Sequence, residues 1–411
     1  MWRGLANGHW VDPRRIRVVC GLLLVATLVS GAALLLTSSG TLDRFGRPIG
    51  TDFSNVYAAG WMANHGHAAA AWIWPEHYRI QQMVHHSATV PFYGWHYPPP
   101  FLLIASLLAS LPYLAALAVW QGVGLAGAVQ VARTVLPGRG TILAALAAPA
   151  TFVCLGHGQN AFLTASLLGG GLILLERRPW LAGMLLGCLV YKPQFAVLLP
   201  VVLVAAGSRR AFLGAAFSSL ALSGLTLAIW GPPVWHGFFD SLTLTRTIVL
   251  ESGETGWEKI VSAFSAVRAL GASVPFAMAV QSLVTGLAVA GAAAAARWGN
   301  PATRGAAICC AAVLSTPYAL DYDLVILAMA LVFMTADAQV RGWLNWEKSL
   351  IALAYLSPLF GRQVAGHTLI PLNLLATAAI FALALRRMWL LDLRGRFQWR
   401  ATTQAGLSGT A

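Results

Sequence analysis

The run Val18-Val19-Cys20-Gly21-Leu22-Leu23-Leu24-Val25-Ala26-Thr27-Leu28-Val29-Ser30-Gly31-Ala32-Ala33-Leu34-Leu35-Leu36-Thr37 carries no charge. About 20 apolar residues wound as a helix cross the hydrocarbon of a bilayer. Ahead of the run stand Arg3, Arg14, Arg15 and Arg17 against Asp12 alone. Positive charge beside a span stays on the cytoplasmic side, so the N-terminus is expected inside and the run is read as a retained anchor. A signal peptide is the competing reading, because a basic start precedes an apolar run. The run is long for one, and its small residues Gly31-Ala32-Ala33 lie within it.

Composition carries the same reading through the chain. Of 411 residues 58% are hydrophobic and 10% charged, with a mean hydropathy of +0.68, whereas a soluble domain carries about 25% charged residues. The class is therefore an all-α polytopic membrane protein. The net charge of +13 falls in short arginine clusters between apolar runs, which is the pattern of membrane orientation and not of a nucleic-acid partner. Cys20, Cys154, Cys188, Cys309 and Cys310 all lie inside apolar segments without metal-ligand spacing.

Inside-face markers are Glu176-Arg177-Arg178, Ser208-Arg209-Arg210, Arg297 to Arg304, Asp337 to Arg341 and a tail over 386–411. They constrain what lies between them. The segment Trp180 to Gly207 begins and ends inside yet has only 28 residues, so two half-length helices are expected to meet at Tyr191-Lys192-Pro193-Gln194, placing Lys192 deep. Pro193, lacking an N–H, is the natural break. By the same parity, loops 40–96 and 231–274, the stretch Gly156-His157-Gly158-Gln159-Asn160, Thr316 to Asp323 and Gly361 to His367 fall outside. Between the first loop and Gly156 there are three apolar runs, Tyr97–Leu111, Tyr113–Ala132 and Thr141–Leu155, but parity admits only an even number of crossings. One of the three must be re-entrant or interfacial, and the sequence leaves open which. The expectation is one integral membrane domain over 1–411, about 12 helices, and both termini cytoplasmic. No internal repeat is evident, which weakens a transporter of the inverted-repeat kind.

In the first outer loop Phe53, Val56, Tyr57, Gly60 and Trp61 recur at helical spacing, and Trp72, Trp74, Tyr78, Trp95 and Tyr97 add headgroup-level aromatics. Interfacial helices are expected there. His65, His67, His77, His85, His86 and His96 crowd the loop, but none makes a ligand spacing with a Cys or carboxylate cluster; no metal is expected.

A base that takes a proton from a hydroxyl must be ionised, within reach and rigidly held. Asp52, at the head of a helix whose N-terminal dipole favours a carboxylate, fits best among the outer acids. The plainer reading is that Asp52 is only an N-cap. Lys192, one of three lysines, stands in an apolar run, where a cation marks a functional site or has an anionic partner. A carboxylate base with a buried cation suits a reaction whose leaving group is a phosphate.

Taken in order, Asp52-Phe53 with Tyr57 and Gly60, Tyr97-Pro98-Pro99, Gly158-Gln159-Asn160, Lys192-Pro193 and Ser315-Thr316-Pro317 with Asp321-Tyr322-Asp323 resemble glycosyltransferase family 87. That family includes polyprenol-phosphate-mannose-dependent mannosyltransferases of the C-type (GT-C) fold. The resemblance runs from about residue 50 to about residue 330. It implies a polyprenyl-phosphate-linked sugar donor, a glycolipid or glycan acceptor, membrane lipids as surroundings, and usually neither nucleotide sugar nor obligatory metal; no cofactor is expected. Carried over by position, Asp52 is the catalytic base. The expected substrate-binding residues are Tyr57, His96, Tyr97, Gln159, Asn160, Lys192, Asp321, Tyr322 and Asp323, Lys192 toward the donor phosphate. Tyr322 between the two acids departs from the histidine-containing versions of that stretch. The expected function is a hexosyltransferase, with mannose the expected sugar, in the cell (inner) membrane with its active site on the non-cytoplasmic side. A flippase or transporter of a lipid-linked saccharide is the alternative, and an inactive structural member of an envelope assembly is a third.

Overall fold

A computed structural model describes residues 2–393; of the expected tail over 386–411, residues 394–411 lie outside the described part. The chain is all-helical, and among the described residues the only β-pairing is three isolated bridges. In chain order the α-helices are α1 (Trp2–Asn7), α2 (Pro13–Leu36), α3 (Phe53–Asn64), α4 (Trp74–His85), α5 (Pro100–Leu108), α6 (Tyr113–Val135), α7 (Arg139–Ala147), α8 (Pro149–His157), α9 (Ala161–Leu174) and α10 (Pro179–Gly187). They continue as α11 (Leu199–Ala205), α12 (Arg209–Trp230), α13 (Pro233–Arg246), α14 (Ala263–Ala269), α15 (Val274–Trp298), α16 (Pro301–Leu314), α17 (Val325–Arg341), α18 (Glu347–Thr368) and α19 (Leu372–Arg387).

Among the described residues six helical segments are long and apolar enough to cross a membrane: α2, α6, α12, α15, Asp321–Arg341 and Leu372–Leu393. This is a multi-pass membrane protein. The first span starts where the sequence caps it: Asp12 Oδ1 accepts from the N–H groups of Arg14 and Arg15, and Pro13 occupies the first helical position, where no donor is wasted. Helices α7 and α8 make one further path, bent by 51°. The bend is local chemistry: Pro149 cannot stay in a straight helix, and Ala148 before it is extended at φ −60°, ψ 131°.

Of the three runs between residues 97 and 155, α5 is the one that stays short. Pro98 and Pro99 precede it, Pro100 opens it and Pro112 follows, leaving nine helical residues, about 13.5 Å at the helical rise and less than half the ~30 Å of hydrocarbon. It packs instead beside α3: a Cβ on Gly60 would collide with the Ala105 carbonyl. The chain also breaks at Lys192, where two half-length helices were expected to meet. Helix α10 ends in a 3-10 turn, Cys188–Tyr191, Lys192 is non-helical at φ −139°, ψ 68°, and Pro193 opens the next turn. Helix α10 is held against α12 through Gly183 and Gly187, whose missing Cβ atoms leave room for the Ala211 and Ala215 carbonyls, the small-residue contact of helix pairs in membranes. Ser218 and Ser219 of α12 donate to the Met184 and Gly187 carbonyls.

Helix α16, buried from Thr303 to Leu314, is the centre of the bundle, with α15, α17 and α19 around it. Helix α17 joins two charged clusters. Asp321 and Asp323 precede it; Asp337 and Arg341 close it, Asp337 meeting Arg387 and Arg341 meeting Asp392, while Glu347 joins the cluster through Arg387. The fourteen residue steps from Asp323 to Asp337 set the two ends about 21 Å apart.

The first loop is a folded unit. His85 joins its parts, with Nδ1 at 2.8 Å from Thr41 Oγ1 and Nε2 at 2.9 Å from Ser54 Oγ. His77 is fully buried with neither ring nitrogen hydrogen-bonded to a described residue. Burial, aided by neighbouring His86, lowers His85 to about 4, and burial with the charge of His96 lowers His77 to about 3, from 6.5. A histidine held neutral in the fold but free to protonate when unfolded gives stability that is complete above pH 6.5 and drains away as pH falls toward 4. The melting temperature of the purified protein should therefore drop on acidification through that window, and His77→Phe should flatten the drop; an unchanged profile in that variant would show that His77 does not couple folding to protons.

Candidate active site

Three backbone contacts assemble the site. Asp52 N–H donates to the His157 carbonyl at 3.0 Å. Gly158 ends α8 in the left-handed region at φ +64°, and a Cβ there would stand 2.7 Å from Phe53 Cβ, so only glycine lets the end of α8 lie on the start of α3. The chain then runs into α9 through Gln159 and Asn160, and α8 packs on the 3-10 turn Asp321–Leu324.

Asp52 is not a side-chain cap: it sits in the helical region at φ −75°, ψ −18°, and its carboxylate bonds no N–H of α3. Its Oδ2 instead accepts from Gln159 Nε2 at 2.8 Å and lies 3.9 Å from His157 Nδ1. Gln159 is fixed in turn, because its Oε1 accepts from the Tyr97 hydroxyl at 3.1 Å and its carbonyl from Gln121. Beneath lies a buried pair: Lys192 Nζ donates to Asp323 Oδ1 at 2.6 Å and to Asn160 Oδ1 at 2.8 Å. Asp321 is held by Arg362, whose Nε donates to Oδ2 at 2.8 Å and whose Nη2 reaches His157 Nε2 at 3.4 Å. The Tyr322 ring lies 5.8 Å from the His157 ring and 5.3 Å from Lys192 Nζ.

The cluster is graded in depth. Side-chain exposure is 32% for Arg362, 27% for His157 and 21% for Asp52, against 3% for Lys192 and 0% for Asp323. It is also graded in charge. Asp323 is matched by Lys192 and Asp321 by Arg362, whereas Asp52 has only Gln159 and the imidazole beside it. Two buried atoms of the cluster, Asn160 Nδ2 and Asp321 Oδ1, have no hydrogen-bond partner among the described residues. Such a donor and acceptor are costly to leave unmade.

The family model described as glycosyltransferase family 87 matches residues 95–320, more than half of the chain. The chain belongs to glycosyltransferase family 87. No curated protein and no solved structure matches it. The span that defines membership in family 87 holds Tyr97, Gln159, Asn160 and Lys192; Asp52, Asp321 to Asp323 and Arg362 lie outside it and are joined to it by the contacts above.

Of the expected site residues, Asp52, Tyr97, Gln159, Asn160, Lys192, Asp321, Tyr322 and Asp323 come together. Tyr57 and His96 do not join them. The Tyr57 hydroxyl donates to the Leu111 carbonyl, and its ring packs on Phe53 and Tyr113. His96 turns the other way along its strand of chain from Tyr97, with Nδ1 at 2.9 Å from Thr245 Oγ1, and burial lowers it to about 4. Sequence reasoning passed over His157 and Arg362: the first lay unmarked inside Gly156–Asn160, the second inside a stretch read only as outward-facing. A cavity of about 760 Å³ between Ala69, Trp72, Ile73 and α13 is separate from the charged cluster, touching it only where Trp72 Nε1 donates to the Tyr97 carbonyl.

Proposed function

We propose that this glycosyltransferase moves a hexose, mannose in the first instance, from a polyprenyl phosphate to the hydroxyl of a glycolipid or glycan, with Asp52 as base. The observation that carries the reading is that Asp52 is the carboxylate of the cluster with no Lys or Arg partner, is part-exposed, and has Oδ2 bonded to Gln159 while Oδ1 meets no donor among the described residues. In the step, the acceptor O–H proton goes to Asp52, the acceptor oxygen bonds to the anomeric carbon, and the bond from that carbon to the donor phosphate oxygen breaks, its electrons leaving on polyprenyl phosphate. Single direct attack inverts the anomeric centre. The assembly is a GT-C bundle in which the six long helices and the shorter apolar ones together make about 12 passages, with interfacial helices in the first loop. The site lies on the non-cytoplasmic side of the cell membrane, because the arginine clusters gather at the opposite end.

The donor phosphate is assigned to Arg362 and not to Lys192. Lys192 is sealed from solvent by Asp323 and Asn160, while Arg362 is the more exposed cation and its Nη1 meets no acceptor among the described residues. Purified protein incubated with a panel of polyprenyl-phosphate sugars and a glycolipid acceptor should release polyprenyl phosphate. Arg362→Ala should slow that release by about 10²–10³-fold, the loss seen when one donor to developing charge is removed, and Arg362→Lys should recover part of it. No release from any donor would sink the proposal, and wild-type rates in Arg362→Ala would remove Arg362 from it.

A further inference from the structure

We infer that Arg362 fixes His157 in the tautomer that carries its proton on Nδ1, making His157 a positioning residue whose Nδ1–H, held by Thr51, turns a positive edge and not a lone pair toward Oδ2 of Asp52, so that the incoming hydroxyl goes to Oδ1. The inference rests on the reading of Asp52 as base.

A guanidinium has donors and no acceptor. With Arg362 Nη2 at 3.4 Å from His157 Nε2, the favourable contact requires a lone pair on Nε2, and a neutral imidazole then has its proton on Nδ1. That nitrogen lies 2.9 Å from Thr51 Oγ1 and 3.9 Å from Asp52 Oδ2. The Thr51 hydroxyl accepts the Nδ1 proton, since a hydroxyl can accept as well as donate. Ring orientation is set from outside as well: the His157 carbonyl is tied to Asp52 N–H, and Tyr322 lies across the ring.

The opposite tautomer would turn a lone pair toward the Asp52 carboxylate and place an N–H against the Arg362 donor. Both contacts would then be repulsive. It would also set a second proton acceptor beside the base, so an acceptor hydroxyl could settle on the imidazole. With the proton on Nδ1 and donated to Thr51, the ring sets no lone pair beside the base, Gln159 is the donor on Oδ2, and Oδ1 is the oxygen left for chemistry. Since Arg362 also bonds Asp321 and is proposed to meet the donor phosphate, the base and the phosphate-binding group are joined through one imidazole.

The test reads the proton directly. The ¹⁵N spectrum of histidine-labelled full-length protein, with the His157 signals identified by their loss in His157→Asn, should show a protonated Nδ1 and a bare Nε2. Arg362→Met should bring in the other tautomer. A wild-type spectrum with the proton on Nε2 overturns the inference outright, whatever the activity. The second arm is kinetic. Asparagine places its amide nitrogen where Nδ1 stood, and glutamine places it where Nε2 stood; His157→Asn should keep kcat within about tenfold of wild type while His157→Gln loses about 100-fold, with donor KM little changed. Equal rates for the two variants overturn the positioning role. Asp52→Asn separates the premises: if that enzyme turns over normally, the base assignment fails and the inference with it, even where the spectrum reports the expected tautomer.

Discussion

Asp52→Asn is expected to fold and bind donor as the wild type does while losing about 10²–10⁴-fold or more in turnover. The amide is the same size as the carboxylate, its oxygen can still accept from Gln159, and no cap is lost because Asp52 bonds no N–H of α3. What it cannot do is take the acceptor's proton on the free oxygen. Had Asp52 been a cap, Asp52→Ala would cost about 1 kcal/mol of stability; with no capping bond present, the alanine variant should melt close to wild type and be as inactive as the asparagine one. Turnover and melting temperature of both variants, measured side by side, decide this. An active Asp52→Asn enzyme would move the search to Glu258, since Asp321 and Asp323 are already held by cations.

How far the sequence led can be judged at three places. The break at Lys192 was legible because two arginine clusters fix both ends of Trp180–Gly207 on one side, and a chain of 28 residues cannot cross twice at full length. The non-spanning run before Gly156 was not, because Tyr97–Leu111 and Thr141–Leu155 are both 15 residues long. What separates them is proline placement: Pro98 to Pro100 and Pro112 confine α5 to nine residues, whereas Pro149 merely bends the α7–α8 path by 51°. The outward reading of Gly361 to His367 concealed that these residues continue α18 to Thr368, the rigid element that delivers Arg362 to Asp321.

The site divides along the same line. Asp52 and Lys192 announce themselves as charges in apolar surroundings, which is a local signal. His157 and Arg362 do not, because one more histidine in a histidine-rich chain and one more arginine among 27 basic residues acquire meaning only from partners 205 residues apart. Tyr57 and His96 lie apart from the cluster for the opposite reason. Both belong to stretches that do reach the site, but neighbouring residues of an extended or helical chain face different ways, and proximity in sequence did not settle which face looks inward.

Lys192→Ala is expected to be the most destabilising single change in the cluster. Lys192 and Asp323 are buried against each other at 2.6 Å, with Asp323 also accepting from Leu320 N–H at 3.1 Å, and removing one partner of such a pair strands a charge that has no access to water. The cost is about 3–5 kcal/mol, and it spreads to the chemistry because Lys192 also holds Asn160, the neighbour of Gln159. Replacing both partners is a different matter, since a buried ion pair exchanged for apolar groups of similar volume is often neutral or stabilising. Lys192→Met combined with Asp323→Leu should therefore regain the melting temperature that Lys192→Ala loses. Turnover of that double variant then assigns the lysine: activity near wild type makes the pair scaffolding for Asn160 and Gln159, and a folded but silent enzyme puts the charge of Lys192 or Asp323 into the reaction. A Lys192→Ala protein that melts like wild type would refute the structural reading, because a stranded Asp323 cannot be free of cost at that depth.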